Sequence, residues 1–242
     1  MTRLAGRIRE LIAASGPISV ADYMAMCLFD PEDGYYTTRE PFGVEGDFTT
    51  APEISQMFGE IVGVWLVSAW QALGRPLPAT IAEIGPGRGT LMKDLLRTIR
   101  RLAPELESGS QIVLIEASPR LVDVQRRTLS EWSDRAVWLS SVDELPTTPL
   151  FIVGNELFDA IPVRQFVRTP GGWRERMVGL DEAGDLSFFA GMASLDDTLL
   201  PADSADAPGG SVFEIAPARS AVMTGIAAHI AKGGGAGLFF DY

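Results

Sequence analysis

Three glycines and one acidic residue form the segment of this sequence that is best suited to hold a ligand. Gly85, Gly87 and Gly89 alternate with other residues, and Glu83 lies two positions before the first of them. Glycine lets a backbone turn sharply and approach a ligand without a Cβ atom in the way. A carboxylate beside such a turn favours a cationic ligand and repels a diphosphate. The segment therefore predicts a turn that binds a positively charged ligand; the alternative is a glycine-rich turn that binds nothing.

The segment Glu83-Ile84-Gly85-Pro86-Gly87-Arg88-Gly89 resembles motif I of the S-adenosylmethionine (SAM) methyltransferases with a Rossmann-like fold. A nicotinamide cofactor brings a pyrophosphate, which binds at a helix N-terminus free of negative charge. SAM has no phosphate and carries an ammonium and a sulfonium group instead. The acid and the three glycines are therefore predicted to bind SAM rather than a dinucleotide.

Two further acids follow predicted strands. Glu116 ends the apolar run 112–115, where its carboxylate can accept hydrogen bonds from both ribose hydroxyls of a nucleoside. Nicotinamide enzymes use the same kind of acid, so Glu116 supports the fold more than it supports the choice of cofactor. Asp143 lies in the turn after the next strand, within reach of an adenine amino group. A solvated turn acid is the alternative role for Asp143.

Another polar segment, residues 154–162, follows the apolar run that begins at Leu150. In a doubly wound sheet the ligand lies over the carboxyl ends of the central strands. We therefore expect Asn155 and Glu156 beside the transferable methyl group, with Asn155 on the cofactor. Methyl transfer is an in-line displacement at carbon, so the enzyme has mainly to position the acceptor.

Carboxylates near that segment favour a cationic acceptor. A guanidinium has a pKa near 13, so its full deprotonation at pH 7 would cost about 8 kcal/mol. Carboxylates can instead hold the cation and take its proton as the methyl group arrives. One charge pair at about 4 Å contributes roughly 4 kcal/mol at an effective dielectric constant near 20. Glu156, Asp159 and Glu53 are the predicted catalytic clamps for an arginine; a turn cap is the alternative for Asp159.

The elements that must position these residues follow from apolar periodicity. Short apolar runs predict strands buried on both faces of a parallel sheet, at 81–85, 112–116, 137–140, 150–154 and 238–242. A helical pattern separates the first two runs and another separates the next two, so the class is α/β. The chain between 141 and 149 has room for at most one helical turn.

The segments before and after the parallel strands predict other elements. Two short helices are predicted to open the chain, the second capped by Ser19. A helix is predicted over 53–73, with an apolar side formed by Ile54, Met57, Phe58, Ile61, Trp65 and Leu66. Segments 163–168 and 173–179 around Pro170-Gly171-Gly172 predict a β-hairpin. A loop over 193–211 and a helix over 216–232 follow.

Composition excludes several classes of function. The chain has 242 residues, and 20 basic against 32 acidic residues give a net charge of −12, which disfavours binding to nucleic acid or to an anionic membrane surface. Cys27 and His229 are the single residues of their types, so we predict no metal site and no Ser-His-Asp triad. No apolar run approaches the length of about 18 residues that spans a bilayer, and residues 1–15 resemble an amphipathic helix rather than a secretory signal. We expect a cytoplasmic protein, or one of the mitochondrial matrix in a eukaryote.

With these pieces in view, the chain resembles one family, the SAM-dependent methyltransferases that include the mitochondrial complex I assembly-factor arginine methyltransferase and its bacterial relatives. The matching segments are 16–19, 23–24, 30–36, 46–56, 83–89 and 155–162. The resemblance implies a seven-stranded, Rossmann-like class I methyltransferase sheet with an N-terminal helical extension and a β-hairpin insertion. It also implies symmetric dimethylation of an arginine on a respiratory-chain subunit in the mitochondrial member, and it places Asp47 and Phe48 in a channel for the acceptor.

The resemblance also implies that family chains continue past residue 242, so that the last strands of the sheet are expected to be missing here. We predict four segments. Residues 1–78 form the helical extension with the substrate-channel segment, 79–162 the SAM-binding core, 163–211 the hairpin and loop insertion, and 212–242 a helix and strand that return to the core. The oligomeric state stays open.

Two alternatives to a protein arginine methyltransferase remain at this point. One is a nicotinamide-dependent oxidoreductase, which the acid beside the glycine turn disfavours. The other is a non-catalytic assembly module that keeps a methyltransferase fold.

Overall fold

The computed structural model describes residues 2–38, 50–201 and 204–241. The chain divides into two compact units: residues 1–39 and 160–220 belong to the first, and residues 40–159 and 221–242 to the second. The described α-helices are α1 (Arg3–Ser15), α2 (Val20–Phe29), α3 (Tyr35–Thr38), α4 (Ala51–Ile54), α5 (Gln56–Ala72), α6 (Thr90–Leu102), α7 (Pro104–Gly109), α8 (Pro119–Thr128) and α9 (Pro217–Gly233). The described strands are β1 (Ile18–Ser19), β2 (Ala79–Ile84), β3 (Ser110–Ile115), β4 (Ala136–Leu139), β5 (Leu150–Asn155), β6 (Arg164–Thr169), β7 (Gly172–Leu180), β8 (Leu186–Ser194), β9 (Val212–Ile215) and β10 (Gly235–Phe240).

Five parallel strands form the sheet of the second unit, in the order β10-β5-β2-β3-β4. Every residue of the central strand β2 is buried, as expected for a strand with neighbours on both sides and covering layers on both faces. The connection from β4 to β5 holds one short 3₁₀ turn, Val142–Glu144. The predicted α/β class, the parallel sheet and the short connection are confirmed.

Alternate residues of these strands enter two cores. On one face, Ile81 and Val153 pack in a cluster with α5 and α6. On the other face, Ala82 and Ile152 pack in a cluster that includes Ile226 of α9. Both faces of the sheet are thus covered by apolar side chains, and the carboxyl ends of the strands carry the polar segments.

Strand β10 begins earlier than predicted, at Gly235 instead of Leu238. The sequence Gly-Ala-Gly gives little apolar signal, yet it pairs in register with the start of β5. Gly235 has a φ of 119°, and a Cβ atom there would collide with the backbone of Leu150. Close backbone approach, rather than hydrophobicity, therefore extends this strand.

The predicted apolar side of the helix over 53–73 is correct in one half and wrong in the other. Leu66 is buried, and Phe58 and Trp65 pack against the core. The helix is interrupted at Ser55, which has an extended backbone and caps α5 by accepting a hydrogen bond from the Met57 N–H. Ile54, Met57 and Ile61 are 70%, 63% and 61% exposed. The buried face instead includes Gly59 and Gly63, which let α6 approach α5 closely.

That close approach is measurable at both glycines. A Cβ atom at Gly59 would lie 2.7 Å from the Asp94 Cβ, and one at Gly63 would lie 2.9 Å from the Thr98 Cβ. Contacts shorter than about 3.4 Å between carbon atoms are repulsive. The pair of glycines therefore decides which side of α5 is buried, and a count of large apolar residues alone does not detect it.

The first unit contains α1, α2, α3 and an antiparallel sheet in the order β1-β7-β6-β9, with β8 also paired to β7. The β6–β7 pairing confirms the predicted hairpin. Ser19 caps α2 by accepting a hydrogen bond from the Asp22 N–H, as predicted. Arg7 holds the end of α2 through two hydrogen bonds to the Asp30 carboxylate, of 2.8 and 3.0 Å.

Two strands flank the predicted loop over 193–211. β8 overlaps its first two residues, and β9 begins directly after it. β9 pairs with β6, and β8 pairs with β7 along nine residues, Leu-Ser-Phe-Phe-Ala-Gly-Met-Ala-Ser, that include no charged side chain. Most of β8 is exposed, so it shows neither the apolar run of a buried strand nor a clean alternation. Among the described residues, no helix combines the length and the apolar character needed to cross a membrane.

Candidate functional site

The three glycines form the turn between β2 and α6, in the second unit. Gly85, Gly87 and Gly89 have φ angles of 64°, 53° and 81°, a region that side-chain-bearing residues rarely adopt. A Cβ atom at Gly85 would lie 2.8 Å from the Leu157 Cδ1. Glycine at this position therefore satisfies both the backbone conformation and the close contact with the loop after β5.

Glu83 is buried in the sheet, with 2% of its surface exposed, directly before this turn. The backbone N–H of Met92, in the first turn of α6, donates a hydrogen bond to its carboxylate. The other oxygen, Oε2, has no hydrogen-bond partner among the described residues. Burial, assisted by the charge of Glu116, raises the pKa of Glu83 from an ordinary 4.5 to about 8. The carboxylate form of Glu83 thus needs a positive partner that the described chain does not supply.

Glu116 follows β3 and is held from both sides. The Ser118 N–H donates to its Oε1 at 2.8 Å, and the side-chain amide of Gln125 donates to its Oε2 at 3.0 Å. Burial raises the pKa of Glu116, and those two donors reduce the shift. The Ala117 N–H donates to the same carboxylate, so three donors fix its orientation and leave it capacity for a further hydrogen bond.

Asn155 ends β5 beside the glycine turn. Its Nδ2 donates to Glu156 Oε1 at 3.2 Å, whereas its buried Oδ1 has no partner among the described residues. In the sheet register Glu83 lies opposite Val153, and Asn155 is two residues further along β5. Because alternate residues of a strand share a face, Asn155 and Glu83 point to the same side of the sheet.

Glu156 has an unusual backbone. Its φ of 50° places a non-glycine residue in the left-handed region, which costs of order 1 kcal/mol or more and is often found at functional sites. Its N–H donates to the Phe240 carbonyl at 2.7 Å, and Asp241 accepts from the Phe158 N–H at 2.7 Å. The end of β10 therefore holds the loop after β5 in this conformation.

Glu53 lies in α4, and the Thr90 hydroxyl at the start of α6 donates to its Oε1 at 2.5 Å. The structure thus brings Glu53 next to the glycine turn, as the sequence predicts for a residue of the site. Asp143 and Asp159 are exposed, each in a 3₁₀ turn at the carboxyl edge of the sheet. Asp143 interacts with the neighbouring Ser141 hydroxyl, at 3.3 Å. Asp47 and Phe48 lie outside the described residues.

The single histidine and the single cysteine of the chain make structural contacts. His229, in α9, lies against the carbonyl of Pro146. Cys27 is half-buried in α2 beside Tyr23, and burial raises the pKa of its thiol. Neither residue belongs to the arrangement around the glycine turn.

Sequence reasoning missed Gln125, in α8. This residue is fully buried and contacts both the glycine turn and Glu116. One signal was available: Gln125 lies four positions after Leu121, on the buried side of a helix where an apolar residue is expected. A polar residue at such a position needs hydrogen-bond partners, which here are residues of the site.

The two unpartnered acceptors test which ligand the site fits. Glu83 Oε2 and Asn155 Oδ1 both require hydrogen-bond donors, and the amino-acid end of SAM carries an ammonium group with three of them. A pyrophosphate would offer only acceptors and negative charge. The donor requirement of these residues fits SAM and opposes a dinucleotide.

Comparisons with known proteins support the family and the cofactor. A family model for S-adenosyl-L-methionine-dependent methyltransferases matches residues 61–242. The mitochondrial protein arginine methyltransferase NDUFAF7 of Danio rerio is 36% identical over 257 residues, covering 96% of this chain and 60% of its own length. Its counterpart in Homo sapiens is 34% identical over 255 residues, with 96% and 57% covered. The chain thus spans about three fifths of the length of the curated relatives it matches.

A solved structure shows the same fold. The crystal structure of a Burkholderia thailandensis protein bound to S-adenosyl-homocysteine superposes with a TM-score of 0.80 at 32% identity. The match covers 93% of this chain and 59% of that chain. The Rossmann-like class I fold that the sequence predicts is confirmed.

Proposed function

Because the chain belongs to the family of SAM-dependent methyltransferases, we propose that it binds SAM at the carboxyl edge of its parallel sheet and methylates an arginine of a protein substrate. The observation that carries the proposal is a pair of buried acceptors beside a turn of three left-handed glycines. These acceptors, Glu83 Oε2 and Asn155 Oδ1, have no hydrogen-bond partner in the described part of the chain.

Three groups of this chain would hold the cofactor. Glu83 and Asn155 accept hydrogen bonds from the ammonium group of its amino-acid end. The glycine turn lets the protein backbone approach the cofactor closely, because glycine has no Cβ atom. Glu116, fixed by three donors, accepts from the ribose hydroxyls. When bound, SAM supplies a methyl group made electrophilic by the adjoining sulfonium.

The acceptor is handled by carboxylates. Glu156 follows Asn155 directly, so it lies next to the transferable methyl group, and Glu53 approaches the glycine turn through its bond to Thr90. We assign them to hold the guanidinium, polarise one nitrogen, and take its proton as the carbon–nitrogen bond forms. Asp159 serves as an outer clamp, and Asp47 and Phe48 line the channel. The names of the relatives, protein arginine methyltransferases, support arginine as the target.

The target protein and the cellular location are inferred from the relatives. We propose a target of the respiratory complex I type, and a location in the mitochondrial matrix of a eukaryote or in the cytoplasm of a bacterium. The relatives are named mitochondrial, which supports the matrix for a eukaryotic protein.

Calorimetric titration of the chain with S-adenosylhomocysteine and, separately, with NAD tests cofactor choice. We expect micromolar binding of the first and none of the second; the reverse result would establish the nicotinamide alternative. Methyl transfer is then tested by intact-mass analysis of arginine-containing substrate proteins incubated with SAM. Cofactor binding without a mass increase of about one methyl group on any protein would favour the non-catalytic module.

A further inference from the structure

The side chain of Gln125 connects three elements of the second unit. Its Nε2 donates to the Gly87 carbonyl at 2.8 Å and to Glu116 Oε2 at 3.0 Å. Its Oε1 accepts from the Trp138 indole N–H, in β4, at 2.9 Å. With no exposed surface, this amide makes its hydrogen bonds entirely within the protein. It therefore links the glycine turn, the acid after β3, and β4.

Trp138 decides which way the amide points. An indole nitrogen can only donate a hydrogen bond, so it must face the oxygen of Gln125. The amide NH₂ group then faces the Gly87 carbonyl and the Glu116 carboxylate, which can only accept. A flipped amide would bring its oxygen against both acceptors and its NH₂ against the indole N–H. The network thus has one satisfied arrangement.

This arrangement determines what Glu116 can offer a ligand. Ser118 donates to Oε1, Gln125 donates to Oε2, and the Ala117 backbone N–H donates to the same carboxylate. A carboxylate has about four acceptor positions, so these three donors fix its plane and leave capacity for a ligand hydroxyl. The hydroxyl groups of a ribose are donors of this kind.

We propose that Gln125 is a positioning residue for cofactor binding: it fixes the Glu116 carboxylate and the glycine turn relative to each other, and so determines how strongly the enzyme recognises the ribose diol. The inference rests on the proposed function, because it takes the ribose of SAM as the ligand of Glu116. Gln125 itself touches no reacting atom.

The test compares two ligands and three proteins. Affinity for S-adenosylhomocysteine and for its 2′-deoxyribose analogue is measured by calorimetry on the wild type, Gln125→Met and a control, Gln111→Met. Methionine keeps the length of glutamine without its hydrogen bonds, and Gln111 is an exposed residue of β3 in the same unit. We expect the wild type and the control to bind the deoxy analogue about tenfold more weakly.

In Gln125→Met we expect affinity for S-adenosylhomocysteine to fall roughly tenfold to hundredfold, as for loss of a hydrogen bond to a charged group. The preference over the deoxy analogue should shrink to less than about threefold, because Glu116 no longer has a fixed orientation. Unchanged affinity would overturn the inference. Lower affinity with an unchanged preference for the diol would also overturn it, since a purely structural residue would behave in that way.

Trp138→Phe provides a second, milder variant in case Gln125→Met does not fold. Without the indole N–H the amide is free to flip, and we expect a loss of affinity of about threefold with a partly reduced preference for the diol. If the preference were unchanged in a folded Trp138→Phe protein, the inference would be wrong. A wild type that fails to bind S-adenosylhomocysteine would instead overturn the proposed function, and this inference with it.

Discussion

Two buried glutamates, at opposite ends of the same parallel sheet, have opposite surroundings. Glu107 precedes β3 and accepts hydrogen bonds from the Trp132 indole N–H, at 2.7 Å, and from the Arg135 guanidinium. Burial alone would raise its pKa, but these donors and the charges of Arg135 and Arg100 hold the pKa below its ordinary value. Within the described ranges, Glu83, at the carboxyl end of β2, has one backbone donor and one oxygen without a partner, and burial raises its pKa to about 8.

The difference shows how the same residue type serves two purposes. Both side chains are nearly inaccessible, with 7% of Glu107 and 2% of Glu83 exposed. Glu83 lies deeper in the protein and has fewer donors, and both differences raise its pKa relative to that of Glu107. A satisfied carboxylate stabilises the fold, whereas an unsatisfied one keeps an unfavourable free energy that a cationic ligand can relieve. Substitution of Glu107 should therefore change the stability of the fold, whereas substitution of Glu83 should change ligand binding.

The largest effect is expected at the glycine turn. Gly87→Val places a branched side chain at a φ of 53°, in the space assigned to the cofactor, and should reduce affinity for S-adenosylhomocysteine by more than about a thousandfold. The matched control is Gly109→Ala, before β3, whose added Cβ meets only the end of the Leu77 side chain. Calorimetric titration of both proteins checks the prediction; equal affinities would remove the binding role of the turn.

Glu107→Ala should affect stability and leave binding unchanged. It leaves Arg135 and the indole N–H of Trp132 without their buried acceptor, so the free energy of unfolding should fall by about 2–4 kcal/mol. Urea denaturation followed by circular dichroism measures this loss. Weaker binding of S-adenosylhomocysteine by the folded variant would show that the two ends of the sheet are not separable.

Glu83→Gln should weaken ligand binding without lowering the stability of the ligand-free protein. It removes the carboxylate that faces the ammonium group, so affinity for S-adenosylhomocysteine at pH 7.5 should fall roughly thirtyfold, about 2 kcal/mol. Stability of the ligand-free protein should rise relative to the wild type as the pH increases from 5 to 8.5. The reason is that a raised pKa makes ionisation of Glu83 unfavourable in the folded state, and the wild type loses stability through that range. Thermal unfolding at the two pH values checks it.

The same carboxyl group predicts a pH dependence of binding. With a pKa of about 8, Glu83 is mostly protonated at pH 7 in the free protein, and a bound cation should release that proton. Affinity should therefore rise between pH 5.5 and 7.5, and calorimetry in two buffers should detect the released proton. Glu116, whose pKa burial also raises, still titrates in Glu83→Gln, so the difference between the proteins reports the ionisation of Glu83 together with its repulsion by Glu116. A slope that persists unchanged in the variant would exclude this coupling.

The smallest expected change in stability concerns Glu156. Glu156→Gly relieves the left-handed backbone and should raise the free energy of unfolding by about 1 kcal/mol while turnover falls sharply. Cofactor affinity should stay near that of the wild type. Loss of stability would show that the side chain of Glu156 supports the fold; unchanged turnover would place the guanidinium clamp elsewhere.

The sequence predicted what local patterns encode. The order of buried strands, the hairpin, the cap at Ser19 and the glycine turn follow from apolar periodicity and turn chemistry. The predicted apolar side of α5 is right at Leu66 and wrong at Met57 and Ile61, because Gly59 and Gly63 let α6 pack against a neighbouring side of the helix. The contrast between Glu83 and Glu107 was also out of reach, since it depends on donors that arrive from distant parts of the chain.

Gln125 illustrates the same limit at the site. Its position on the buried side of α8 predicts only that some partner exists, and the partners lie 38 residues before it and 13 after it. Motif matching finds residues that touch a ligand. It does not find the side chains that hold those residues in place.

One feature of the first unit bears on how the protein behaves in concentrated solution. β8 pairs only with β7 among the described strands, and its nine residues present Phe188, Phe189 and Met192 to water without a single charge. The unpaired backbone N–H and C=O groups of an edge strand can form hydrogen bonds with a strand of another molecule. At neutral pH the charge of −12 keeps copies apart, but near the isoelectric point of about 4.5 that repulsion vanishes. Acidification should thus precipitate the protein through its strand edges, and a lysine in place of Ser187 should delay the turbidity.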